Sequence, residues 1–290
     1  TVMAFAFWGI GLFIAASLFN KETEFPLGNS VSKYAFREFR IFTSPPKTFL
    51  FSLLIVGLMV LSAVGVYFEA NRYIAEIYFG KAMKVSAHGN NTGTINNVSK
   101  AIEFWPYDER YFQSLSQAIF GELNVLLARK DLSQDELRAS FQNITTNALA
   151  AARKAQDLNP KNPANAALLG NMYENLTPFI SDAANFAVSS YSAAAALDPK
   201  NPSHQLALAR VAIISKNLDK AAVHLEEAIS LKNDYAPARF LLVQVFDNQG
   251  KLLDAIKRAE ELASFNINDV GVLFQLGFLY YKNNDFDKSR

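Results

Sequence analysis

Imidazole is the side chain that exchanges protons near neutral pH, so the three histidines come first. His88, His204 and His224 stand apart in the sequence. None has a histidine or carboxylate at the spacing of a helical metal site such as H-E-x-x-H, which sets two ligands one turn apart. His224 opens HLEEA, where Glu226 and Glu227 read as a solvated helix face, and Glu260-Glu261 repeats that pattern. Cysteine is absent. That removes disulfides, thiolate metal sites and a cysteine nucleophile, and leaves the redox compartment open. Gly9-x-Gly11 lies in an apolar run without the strand and third glycine of a dinucleotide-binding turn. No P-loop or nucleophile elbow occurs. Asn-x-Ser/Thr occurs at Asn90, Asn97, Asn143 and Asn175, as chance provides in an asparagine-rich chain. The residues therefore assemble no catalytic constellation, no metal site and no cofactor motif. The formal net charge is +1, which offers no bulk attraction to nucleic acid.

The remaining chemistry is recognition, and a repeated phrase points to it. LNPKNPANAALLGNMY begins at Leu158 and LDPKNPSHQLALARVA at Leu197. Aligned on Leu169-Gly170, later copies place Leu208-Ala209, Leu242-Val243 and Leu276-Gly277, in steps of 39, 34 and 34 residues. A 34-residue period resembles the tetratricopeptide repeat (TPR), a helix-turn-helix unit. Where that family crosses its two helices on a small residue stand Ala221, Ala255 and Ser289. Ala228 fits the next family position, and Leu262 departs from it. Pro160 and Pro199 stand where the family ends its second helix, while Asn233 and Ile267 do not match. Gly250 holds the turn between helices, replaced by Lys216 and Asn284 in other copies. The longer step is assigned to Thr177–Ser181, which lengthens a turn. Ala155 with Pro160, and Ala101 with Pro106, close two earlier and more divergent units. Tyr78–Ala82 resembles a degenerate first helix, with Gly89 at its turn. The reading is about six units, with first helix Tyr111–Arg129, second helix Phe141–Leu158, and an insertion at KDLSQDELRAS between them. Leu169, Gly170, Tyr173, Ala221, Ala228, Ala255, Leu276, Gly277 and Tyr280 are the expected packing positions.

Such units cannot bury their apolar faces alone; stacking gives a continuous core and an all-α solenoid. The resemblance implies a right-handed superhelix whose concave surface, lined by first helices, binds peptides or proteins. Groove candidates are Asn171, Glu174, Asn175, Leu206, Arg210, Phe240, Gln244, Asn248, Phe274 and Phe278. The family's carboxylate-clamp lysine position holds Ala167, Leu206, Phe240 and Phe274, so a clamp for acidic C-termini is not expected. Apolar and amide groups fit an extended polypeptide or a sugar chain. Alternatively, the aromatics pack against neighbouring helices and the amides face water.

Two uncharged apolar runs precede the repeats: Val2–Phe19 and Thr48–Phe68. The second has 21 residues, enough for a hydrocarbon core of about 30 Å at about 1.5 Å per residue. Both read as transmembrane helices, with a buried core helix, or a signal peptide for the first, as the alternatives. Lys21, Lys33, Arg37, Arg40 and Lys47 lie in or beside the intervening loop, against Arg72, Lys81 and Lys84 after the second run. That bias places the loop in the cytoplasm and the repeats outside it. KYAFREFRIF in the loop reads either as an interfacial amphipathic helix or as an ordinary flank. One long helix is expected from about Lys47 to Ala87. The domain reading is 1–70 as membrane region (spans 2–19 and 48–68, loop 20–47), 71–140 as divergent repeat-like helices, and 141–290 as a TPR array truncated in its last repeat.

The order of parts adds a second resemblance. FWGIGLF, then SPPKTFLFSLLIV, then AIEFWPYDERYFQSLSQ leading into repeats resembles the C-terminal part of bacterial O-antigen ligase or polymerase-like membrane proteins with TPR tails. This implies an inner-membrane location, a lipid bilayer partner and a glycan or lipid-linked sugar handled by a membrane domain upstream. That family's catalytic arginine and histidine residues lie in a loop outside this sequence, so no catalytic residue carries over. A non-enzymatic membrane-anchored adaptor for envelope assembly or secretion, and a cytoplasmic-facing adaptor, are the alternatives.

Overall fold

The structure, a computed structural model, describes residues 44–265 and 268–289. The apolar run 2–19 and the loop as far as residue 43 lie outside the described residues. Two compact units divide between Val60 and Leu61. The described part of the first is helical from Pro45 onward.

Eleven helices occur among the described residues: α1 Pro45–Ser86, α2 Asn91–Phe104, α3 Glu109–Ala128, α4 Gln134–Leu158, α5 Pro163–Leu176, α6 Ala183–Leu197, α7 Pro202–Ile214, α8 Leu218–Leu231, α9 Ala236–Asn248, α10 Leu252–Phe265 and α11 Val270–Lys282. The repeated phrase is a helix-start signal. In each of its first two copies an asparagine caps the helix and a proline follows. Asn162 and Asn201 accept from the backbone N–H two residues on, and Pro163 and Pro202 occupy the first turn, where no donor is needed. The third copy keeps a first-turn proline, Pro237, but has lost the asparagine: Tyr235 caps α9 without a side-chain bond. Pro160 and Pro199 follow the ends of α4 and α6, as their missing N–H requires.

The turns inside hairpins are equally local. Gly89, Lys216, Gly250 and Asn284 all have positive φ, between 59° and 75°. This is the left-handed conformation that reverses the chain after a first helix. The expected insertion after residue 129 is corrected: most of it is helix. Ser133 and Glu136 form a capping box, so α4 starts at Gln134 and not near Phe141. The boundary expected at 140/141 falls inside that helix.

Packing follows the same period. α3 packs on α4, α5 on α6, α7 on α8 and α9 on α10, and each second helix packs on the next first helix. Ala221, Ala228 and Ala255 are wholly buried, and Leu262 is nearly so. Ala187 and Ala194 hold the corresponding places after the longer turn, as do Ala148 and Ala155 in α4. Small side chains let helix axes close in, and larger neighbours such as Leu208, Leu242 and Leu279 fill the space between. The C-terminal part of α1 is the first helix of the first hairpin. Its Ala75 and Ala82 share a core with Val98 and Ala101 of α2 and Tyr111 of α3.

α1 is also apolar and long enough to cross a membrane, with mean hydropathy 2.6 over 18 residues that are exposed throughout. It is the one such helix among the described residues.

Candidate functional site

The groove candidates do not form one surface. Asn171 on α5, and Leu206 and Arg210 on α7, come together around an open cavity of about 410 Å³, with Gln117, His204 and Tyr235 also at its wall. Phe240, Gln244, Asn248, Phe274 and Phe278 lie outside it. Phe274 and Phe278 are exposed, as is Asn248, while Phe240 and Gln244 are half-buried. Leu206 is largely buried in the core under α7 and α8. Asn175 is exposed, and its amide donates to the Asn171 carbonyl at 2.7 Å.

Glu174 and Arg210 hold each other. Arg210 Nε donates to Glu174 Oε1 at 2.7 Å, and Nη2 donates to Oε2 at 3.0 Å. Tyr191 of α6 donates its hydroxyl to the same Oε2 at 2.6 Å. The carboxylate thus ties α5, α6 and α7 together through a bidentate fork and a phenol. Burial, then the bond to Glu174, pushes the Tyr191 hydroxyl well above the usual phenol range. Hydrogen bonding to Glu174 raises the Arg210 guanidinium further, against the opposing effect of burial. The phenol stays protonated and the guanidinium charged across physiological pH. Arg210 keeps further N–H donors on its exposed edge.

The close approach behind this junction explains Gly170. A Cβ placed there would lie 2.6 Å from Tyr191 Cδ1 and 2.8 Å from its Cγ. Gly277 has an analogous, looser neighbour in the Ser289 carbonyl oxygen, 3.3 Å from a built Cβ. Leu169 and Tyr173 are buried beside Gly170, and Tyr280 closes the corresponding core near α11 with its hydroxyl on Glu260. Leu276 is partly buried against that core.

A second polar junction was not anticipated. Asn165 is fully buried. Its amide nitrogen reaches the Ala155 and Asn159 carbonyls and Glu109 Oε2, and its oxygen accepts from Gln113 Nε2 at 2.6 Å. It joins α3, α4 and α5. The corresponding residue one step later is His204, buried with Nε2 4.0 Å from Asp198 Oδ2. Burial lowers the pKa of both His204 and His224 below the ordinary imidazole value, with the nearby Asp198 and Glu227 opposing it. Among the described residues no three His, Asp or Glu side chains converge to hold a metal ion.

The likeness to solved structures now has a geometric basis. A thermophilic TPR protein of Thermus thermophilus superimposes with TM-score 0.50 at 15% identity, over 71% of this chain and 99% of that one. The fold is that of TPR proteins. PilF of Pseudomonas aeruginosa gives TM-score 0.56 at 14% identity, covering 76% of this chain and 89% of that one. PilW, a widely conserved type IV pilus biogenesis factor, gives 0.54 at 13% identity, covering 74% and 89%. No family model and no curated protein match the sequence. At these identities the TPR likeness extends to the fold and no further.

Proposed function

We propose that this chain is a membrane-tethered TPR scaffold that holds an extended polypeptide in the groove around Asn171 and Arg210. One observation carries the reading. α1 is exposed and apolar over its first half, yet its second half is the first helix of the solenoid. The candidate tether and the solenoid therefore share one helix. The groove offers amide and guanidinium N–H groups beside aromatic rings, which suits the carbonyls and side chains of an extended peptide. The charge bias places the solenoid on the extracytoplasmic side.

The order of segments supports a finer reading: the chain is the C-terminal part of an O-antigen ligase or polymerase-like protein, serving envelope polysaccharide assembly. The solenoid would then be a docking arm for that enzyme's partners. Sequencing the coding region upstream of Thr1 tests this. Eight or more further spans with an arginine- and histidine-bearing outer loop support it, and an adjacent start codon refutes it in favour of a non-enzymatic adaptor. A photo-crosslinking residue tests the groove. Placed at Asn171 it should trap a discrete protein adduct in membranes, while at Val223, exposed on second helix α8, it should not. Equal trapping at both positions refutes the groove assignment.

A further inference from the structure

The tether ends at Phe68, the last residue of the uncharged run, with Glu69 next and Arg72 one turn on. The ring of Phe68 is met edge-on by Trp105, with centroids 6.3 Å apart and planes at 82°. Trp105 in turn meets Tyr107 edge-on at 5.3 Å, and Tyr67 lies beside Phe68 at 6.0 Å. Trp105 and Tyr107 come from the loop between α2 and α3, not from the tether. Asp108, the next residue of that loop, is tied to α1 through Arg110, which pairs with both Asp108 and Glu76. The loop 105–108 therefore lies alongside residues 68–76 of α1.

This placement fixes a depth. Arg72 is about 6 Å beyond Phe68 along the helix, and the headgroup region occupies roughly 5–8 Å on each side of the hydrocarbon. Residues level with Phe68–Arg72 thus sit at headgroup depth when the apolar run fills the core. Tryptophan and tyrosine concentrate there because each has an apolar body and a polar tip. Tyr107 is 66% exposed and Tyr67 64%, so both rings are open to that boundary, which suits an apolar ring with a polar tip. Pro106 adds no backbone donor to be satisfied.

Resting on the membrane-tether reading above, we propose that Trp105 and Tyr107 form a second membrane contact, inserted between phospholipid headgroups beside the emerging helix. One helix alone leaves the solenoid free to rotate about its exit point. The aromatic loop gives a second point of attachment and fixes which face of the solenoid turns to the bilayer.

The chain has two tryptophans, Trp8 and Trp105. The Trp8→Phe form of this 290-residue chain, reconstituted in phosphatidylcholine vesicles, therefore reports on Trp105 alone. Lipids brominated near the headgroup end of the acyl chain should quench its emission at least twofold, and aqueous iodide should have little effect. Quenching by iodide but not by bromolipid puts the loop in water and overturns the proposal. Protection from both quenchers leaves Trp105 covered by the protein itself or by a second copy and overturns it too. A companion chain with Trp8→Phe, Trp105→Phe and Leu58→Trp separates the two levels of failure. If lipids brominated near the acyl-chain end quench the residue-58 probe but the headgroup-end lipids spare Trp105, only this proposal falls; if neither lipid quenches its probe, the tether reading falls with it.

Discussion

Gly170→Ala isolates the contact on which the central junction depends. By helix propensity alone the change should stabilise α5, by about 1 kcal/mol. The structure reverses the sign. The new methyl would lie 2.6–2.8 Å from three atoms of the Tyr191 ring, where carbon atoms normally keep about 3.5–4.0 Å. Relief requires α5 and α6 to part by about 1 Å or the ring to turn. Turning the ring breaks its hydroxyl bond to Glu174. Overpacking costs about 1–3 kcal/mol, and a hydrogen bond to a charged acceptor contributes about 1.5–3 kcal/mol. Together, after subtracting the propensity gain, the net loss is about 1.5–5 kcal/mol. Stacked repeats open locally, so the assay is hydrogen exchange at the α5 and α6 amides in the reconstituted protein. Exchange there should quicken at least tenfold. Gly80→Ala is the matched control, because nothing lies within 4 Å of its Cβ position; it should leave exchange unchanged or slow it. Gly170→Ala with wild-type or slower exchange in α5–α6 would refute the reasoning.

Three further outcomes follow from named contacts. A double-mutant cycle on Glu174→Ala and Arg210→Ala should give a coupling of about 1–2 kcal/mol. This lies between the near-zero value of a surface pair and the roughly 3–5 kcal/mol of a buried one, because the Arg210 side chain is 39% exposed. Lys216→Gly should stabilise the α7–α8 hairpin by about 1 kcal/mol, since a lysine at φ 59° bears the left-handed cost that glycine avoids; a matched or lowered melting midpoint would count against it. For pH, His204 and His224 have folded pKa values below the unfolded value near 6.5. The unfolded chain then binds more protons between the two values. Their stabilisation is complete above the unfolded pKa and falls as acid takes the pH below it, by under about 1.4 kcal/mol per histidine per pH unit. His204→Gln with His224→Gln should flatten the thermal midpoint between pH 7 and pH 5, and an unchanged slope would refute the assignment.

The period and the turn positions were legible in the sequence because each is a local signal: Gly89 and Gly250 encode turns within one residue. Asn162-Pro163 and Asn201-Pro202 encode helix starts within two residues, and those caps were found only in the structure. The start of α4 was missed although its signal was present: Ser133 and Glu136 have capping-box spacing. The groove was only partly legible. Asn171 and Arg210 converge because residues at one repeat position stack, with Leu206 one helical turn before Arg210, but periodicity does not say which of them are already taken. Glu174 has the same residue type whether it faces a ligand or a neighbour's arginine. Its pairing with Arg210 joins residues 36 apart and depends on how closely two hairpins stack. Asn165 is a similar case: an asparagine in a polar phrase looks solvated until four partners from α3 and the end of α4 surround it.

A solenoid held at a membrane and displayed on its outer side is the central claim. The most direct measurement uses the absence of native cysteine. Ser192→Cys, at an exposed position on α6, and Ser32→Cys are treated separately, in intact cells, with an impermeant maleimide. The expected result is labelling at position 192 in protein that stays in the membrane pellet after alkaline extraction, and labelling at position 32 only after lysis. Labelling at 32 but not 192 in intact cells, or release of the protein from the pellet, would contradict it.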